Sequence, residues 1–156
     1  MIEHAQKDPL IKGGCQCGAV RYALRSEPTH ASICHCRMCQ KAFGNYFAAL
    51  TGVPRRDLAW TKGEPGIFKS SDAVERGFCR DCGTPLTFAY VERDRICVSI
   101  GSLDEPGRVR PEIQYGIESM LPAFAALHDL PGERTEDGAT PEELARMASR
   151  QHPDHD

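Results

Sequence analysis

Along most of this chain apolar residues alternate with polar ones in short runs, and glycine, proline or clustered charge interrupts the runs every few residues. Residues 18–24 (GAVRYAL) put Val20, Tyr22 and Leu24 on one face, the period-two signature of a half-buried strand. Residues 29–33 predict a second short strand. Arg37 to Phe43 predict about two helical turns, with Gly44 placed as a C-terminal cap. Residues 46–50 predict a strand that ends where Gly52-Val53-Pro54 breaks the chain. Further strands are expected over 58–61, 67–70 and 74–78. Residues 86–91 and 96–100 predict a hairpin joined by the polar segment Glu92-Arg93-Asp94-Arg95.

Beyond Gly101 the chain is punctuated by Pro106-Gly107, Pro111, Pro122 and Pro131-Gly132. One more strand is expected over 113–117, and residues 120–130 are expected to pack as a lid or loop. Thr140-Pro141-Glu142-Glu143 has the form of a capping box with proline at the first helical position. It predicts a short helix over 141–150 and a frayed end over 152–156. Many short strands with frequent turn signals point to a mainly β architecture. The expected organisation is an N-terminal arm over 1–12, one β domain over 13–132, and a polar tail over 133–156.

Composition narrows the class. The chain has 156 residues, 40% hydrophobic and 26% charged, with a formal net charge of -3. Nucleic-acid binding shows as a basic surplus or stripe, and neither is present, so no nucleic-acid partner is expected. No apolar run reaches the ~20 residues of a membrane helix, and residues 1–10 contain no apolar stretch typical of a secretory signal. A cytoplasmic location is therefore expected. In a reducing compartment clustered thiols indicate metal or redox chemistry rather than disulfides. A disulfide scaffold is the competing reading. It is opposed by Cys15/Cys17 and Cys34/Cys36, where a bridge within either pair would be badly strained.

The cysteines themselves carry the chemistry. Of the eight, Cys97 lies in an apolar strand and reads as a small core residue. The other seven fall into groups of two, three and two. Gly13-Gly14-Cys15-Gln16-Cys17-Gly18 and Cys79-Arg80-Asp81-Cys82-Gly83 are compact pairs of soft ligands with adjacent glycines. Two such pairs, Cys15 and Cys17 with Cys79 and Cys82, complete the tetrahedral Cys₄ set of a structural Zn²⁺.

Cys34-His35-Cys36-Arg37-Met38-Cys39 offers only three thiols. A second Zn²⁺ on Cys34, Cys36 and Cys39 would keep an open position, the mark of a catalytic site. His35 is an alternative fourth ligand, although its place between two ligands points it away from them. A partition in which all seven cysteines serve one site plus spare thiols also stays open. Zn²⁺ with three thiolates carries a formal charge near −1. It activates water poorly and suits a soft fourth ligand such as a substrate thiol. Arg37 and Lys41 are sequence neighbours able to favour an anionic thiol, but the reading preferred for them is solvated charges on a short helix.

These three motifs, in this order, resemble the glutathione-dependent formaldehyde-activating enzyme family, to which centromere protein V is similar. The resemblance rests on residues 14–22 (GCQCGAVRY), 34–41 (CHCRMCQK) and 78–86 (FCRDCGTPL), with weaker likeness at 101–104 and 111–119. It implies a β-tent of stacked short antiparallel sheets clamped by zinc. It also implies a structural zinc on Cys15, Cys17, Cys79 and Cys82, and a catalytic zinc on Cys34, Cys36 and Cys39. The implied activity adds a glutathione-type thiol to a small aldehyde such as formaldehyde, a carbon–sulfur lyase reaction. The implied partners are thus a small-molecule thiol and an aldehyde. A non-catalytic zinc interaction module and a thiol-based sensor are the alternatives. One departure stands out: near Leu121-Pro122 the family usually has tryptophan directly after the proline, where this chain has Ala123-Phe124.

Overall fold

The computed structural model describes residues 11–156. Its strands are β1 (Ile11–Gly14), β2 (Arg21–Leu24), β3 (Thr29–Cys34), β4 (Ala48–Pro54) and β5 (Leu58–Lys62). They continue with β6 (Gly66–Lys69), β7 (Val74–Phe78), β8 (Pro85–Tyr90), β9 (Arg95–Ser99) and β10 (Ile113–Tyr115). Among the described residues there are two α-helices, α1 (Arg37–Phe43) and α2 (Pro141–Arg146), with several short 3-10 segments. The protein is mainly β, as its patterning predicted. The arm expected over 1–12 lies outside the described residues except for Ile11 and Lys12, which open β1.

The strands form a three-stranded sheet, β1-β2-β5, and a seven-stranded sheet, β10-β3-β4-β9-β8-β7-β6. The expected hairpin is there, with Thr87 opposite Val98 and Phe88 opposite Cys97. All pairings are antiparallel but one: β10 runs parallel to β3, with Tyr115 beside Cys34. A parallel pair needs a long crossover, and the chain between β3 and β10 supplies it.

Strand β4 corrects the expected break at Gly52-Val53-Pro54. It runs on to Pro54, and Gly52 pairs with Cys97 of β9. A side chain at Gly52 would meet Arg95 Nε at 2.9 Å and Cys97 Sγ at 3.1 Å. Glycine is present here to admit neighbours, and the strand continues past it. Pro54 takes the last position of the strand, where loss of an N–H disturbs the ladder least.

The main core lies between the sheets. Ile11, Tyr22 and Leu24 of the small sheet pack with Val53, Leu86 and Val98 of the large one. Tyr22 meets Trp60 edge-on and shares a 2.8 Å hydrogen bond with Ser102. Strand alternation sends the intervening residues to the other face. There Ala48 and Leu50 form a smaller cluster with Cys39, flanked by Cys34, Cys36, Phe43, Phe88 and Cys97. Helix α1 sits over that cluster.

The polar tail differs from expectation twice. Helix α2 has its capping box, Thr140 with Glu143, but ends at Arg146. Just beyond, Ser149 accepts the Gln151 amide at 2.9 Å, a local side-chain bond that competes with helix. The final residues are docked, not frayed. The His152 amide donates to the Gln16 carbonyl at 2.8 Å, and Asp156 pairs with Lys12 at 2.6 Å and Arg21 at 2.9 Å.

Arg21 is nearly enclosed and is held bidentate by Asp104 at 2.7 and 2.6 Å. The pair ties the small sheet to the segment after β9. Asp104→Ala removes the buried partner and leaves the guanidinium with only the tail carboxylate. The expected loss is about 3 kcal/mol, read by denaturant melts against wild type.

Candidate metal centres

Two tight turns build the first cysteine cluster. In one, Gly18 (φ 75°) donates to the Cys15 carbonyl at 3.1 Å and Cys15 donates to Val20 at 2.9 Å. In the other, Gly83 (φ 77°) donates to the Cys79 carbonyl and Cys79 donates to Thr84, both at 2.9 Å. The positive φ values explain why glycine follows each pair. The Gln16 amide donates to Thr84 Oγ1 at 3.0 Å and locks one turn against the other.

The sulfurs of Cys15, Cys17, Cys79 and Cys82 lie within 4.8 Å of one another. The Cys15–Cys17 and Cys17–Cys79 sulfur separations are 3.6 and 3.8 Å. A tetrahedron with Zn–S bonds of ~2.3 Å has edges of about 3.8 Å, whereas a disulfide needs ~2.05 Å. All these thiols are free, so the donor set fits a tetrahedral soft cation. Burial pushes the Cys82 thiol up, but hydrogen bonds from the Thr84 hydroxyl and from backbone amides outweigh it and lower the thiol to about 6. The Val20 amide donates to Cys15 Sγ at 3.2 Å in the same sense.

The second cluster is Cys34, Cys36 and Cys39, whose sulfurs also lie within 4.8 Å. Cys34 ends β3. Cys36 caps α1, its sulfur accepting the Cys39 amide at 3.4 Å. Cys39 faces inward one turn later. Helix α1 has the predicted bounds and ends on Gly44 in the left-handed region (φ 57°). Three donors without a fourth fit a cation that keeps one position open. Cys39 is held low, to about 5, first by the hydrogen bond from Cys34 and then by Arg76, against a burial effect that raises it. Cys34, which gives that bond, is raised.

The cluster opens onto a cavity of about 520 Å³. Cross-strand register builds its floor: Gly52, Cys97, Phe88 and Arg76 stand in one row across β4, β9, β8 and β7. Cys97 packs against the smaller cluster, as its core reading has it, but also lines the cavity; the alternation of β9 sends Val98 to the main core. His30, Ser32 and Cys34 line another side from alternate positions of β3. His30 sits at an irregularity in the β3–β4 pairing with φ 55°, and bulges of this kind re-aim side chains.

Arg37 and Lys41 are exposed on α1 and do not line the cavity, in keeping with their reading as solvated charges. Arg76, Arg93 and Arg95 line it instead. Sequence reasoning missed Arg76 because an arginine in an alternating strand looks solvated. Its only signal was its place between Val74 and Phe78.

A model of the glutathione-dependent formaldehyde-activating enzyme family matches residues 10–119, which include every cysteine of both clusters. The chain belongs to this family. It is 33% identical over 82 residues to an uncharacterized lyase of Schizosaccharomyces pombe, covering 53% of this chain and 59% of that protein. It is 34% identical over 86 residues to a Phaeosphaeria nodorum protein whose name refers to a glutathione-dependent formaldehyde-activating enzyme, covering 51% and 45%. The chain spans about half the length of the curated relatives it matches. A crystal structure of a Rhodobacter sphaeroides protein superposes with a TM-score of 0.53 at 24% identity, over 67% of this chain and 98% of that one, a likeness of fold. No helix among the described residues is long and apolar enough to cross a membrane.

In this family member His35 does not join the sulfur group. It is fully buried, its Nε2 donates to Gln114 Oε1 at 2.8 Å, and its ring is edge-on to Phe124 at 4.6 Å. Phe124, where the family usually has tryptophan close by, therefore backs the cysteine loop and does not line the cavity. Gln40 spans the loop: its Nε2 donates to the carbonyls of His35 at 2.7 Å and Ser119 at 2.9 Å. Gln40→Ala strands the buried His35 carbonyl and removes a donor from the half-buried Ser119 carbonyl. It is expected to cost about 2 kcal/mol in a denaturant melt and to loosen the loop of Cys34 and Cys36.

Proposed function

We propose that the protein is a zinc-dependent carbon–sulfur lyase-like enzyme that adds a glutathione-type thiol to a small aldehyde such as formaldehyde. One Zn²⁺ is assigned to Cys15, Cys17, Cys79 and Cys82 as a structural ion. A second is assigned to Cys34, Cys36 and Cys39, where the reaction takes place. The observation that carries this reading is a three-sulfur cluster opening on a cavity large enough for a small thiol and an aldehyde together. Family membership supports it.

Bound to the triad, zinc would hold a substrate thiol as its thiolate. The chain supplies the remainder. Leu50, Val74 and Phe88 give an apolar wall that excludes water from the sulfur. The addition forms one carbon–sulfur bond, opens the carbonyl π bond and moves the thiol proton to oxygen, so no redox partner is required. His30 lies four positions from Cys34, about 13 Å along a strand. Arg93 and Arg95 form a cationic rim at that end, and no carboxylate lines the cavity among the described residues. A thiol whose sulfur reaches the triad can therefore leave a carboxylate at that rim. Arg95 is braced for this by bonds from Nη2 to the Thr29 and Gly52 carbonyls at 2.8 and 2.7 Å.

The test counts zinc per chain and follows aldehyde consumption with and without glutathione. Wild type is expected to carry about two zinc ions, and Cys36→Ser about one, with thiol-dependent turnover lost. Unchanged turnover in Cys36→Ser would sink the reading.

A further inference from the structure

Arg76 is 6% exposed, and no carboxylate pairs with it among the described residues. Its Nε donates to Ser70 Oγ at 3.1 Å, and its guanidinium lies over the Phe88 ring at 5.0 Å. Its Nη2 points at Cys39 Sγ, 3.5 Å away, and Nη1 is buried without a hydrogen-bond partner. A buried cation is costly unless an anion faces it. A serine hydroxyl and an aromatic face offset only part of that cost. The groups able to balance Arg76 are the sulfurs of the triad, through Cys39.

The placement is built by the fold. The register aligns Arg76 with Phe88 and Cys97, and α1 lowers Cys39 onto the other side. Gly77 next to it has no room for a side chain, since a Cβ would meet Thr87 Oγ1 at 2.3 Å. Strand β7 is thus pressed against β8 where Arg76 leaves it.

We propose that Arg76 is the resident counter-ion of the triad, and that its fixed positive charge lets that site accept an anionic fourth ligand. This rests on the triad being the metal site assigned above. Three thiolates on a divalent cation leave a charge of about −1, and a fourth thiolate would bring it to about −2. Arg76 returns one positive charge at hydrogen-bond distance from the cluster, in a poorly solvated setting where that charge acts strongly. A neutral fourth ligand gains far less from it. Arg76 is therefore a positioning residue that selects the charge of what binds, whereas the rim cations read its far end.

The experiment loads wild type, Arg76→Gln and Arg76→Lys with Co²⁺ and titrates each with 2-mercaptoethanol, which binds as thiolate, and with neutral imidazole, following the cobalt absorption bands. Arg76→Gln is expected to lower the ratio of thiol to imidazole affinity at least tenfold, and Arg76→Lys to keep it within threefold. An unchanged ratio in Arg76→Gln, or equal loss in Gln and Lys, overturns the proposal. A wild type that takes up no second metal defeats the site assignment itself. Zinc retained at Cys15, Cys17, Cys79 and Cys82 reports whether each variant is folded. If Arg76→Gln does not fold while Arg76→Gln/Cys39→Ser does, the charge pairing is upheld by stability. If both fail to fold, Arg76 is a packing residue and the proposal falls.

Discussion

Four cysteine sulfurs held within 4.8 Å of one another join the two sheets, and the rest of the molecule is arranged around that joint. One pair follows β1 in the small sheet, and the other lies in the turn between β7 and β8 of the large one. Thiolates at this spacing repel unless a cation or shared protons compensate them. The first turn accordingly aims the Val20 amide at Cys15, and the second sets the Thr84 hydroxyl against Cys82. The tail from His152 to Asp156 packs beside the same joint, through Gln16 and Arg21. An ion there would close a loop of more than sixty residues, the regime in which a cross-link removes most entropy from the unfolded chain.

The second cluster faces the other side of the large sheet and is built differently. Its sulfurs come from a strand end, a helix cap and the first turn of α1, a single continuous stretch. What surrounds them comes from five other strands, β4, β7, β8, β9 and β10. This division suits a reactive site: the ligands are local and held by Gln40 and His35, while the cavity walls can vary without unbuilding them. Charge is divided likewise. Arg76 is enclosed beside Cys39, and Arg93 and Arg95 line the cavity from the far end of the β8–β9 hairpin.

Both cysteine groups were legible because metal ligation imposes residue type and short spacing, and both survive in a linear string. Helix α1 was legible at both ends for a similar reason: its cap and its terminal glycine are neighbours in sequence. The misreadings concern contacts made from a distance. Gly52 looked like a breaker because its purpose, admitting Arg95 and Cys97, depends on a strand more than forty residues away. Cys97 looked like core alone because alternation shows that two faces exist, not which of them borders a cavity. The tail looked frayed because its partners, Lys12, Gln16 and Arg21, lie at the far end of the chain.

By itself, then, the sequence determined the mainly β class, the two sulfur sets and the capped helix that carries one of them, since each follows from local periodicity or ligand spacing. Tertiary structure alone decided which cations serve the triad. Arg37 and Lys41 were close in sequence, yet the helix turns them to solvent. Arg76 was remote, yet cross-strand register sets it over the half-buried Phe88 ring and brings it to Cys39. Charge acts through space, and the distance that matters is set by packing.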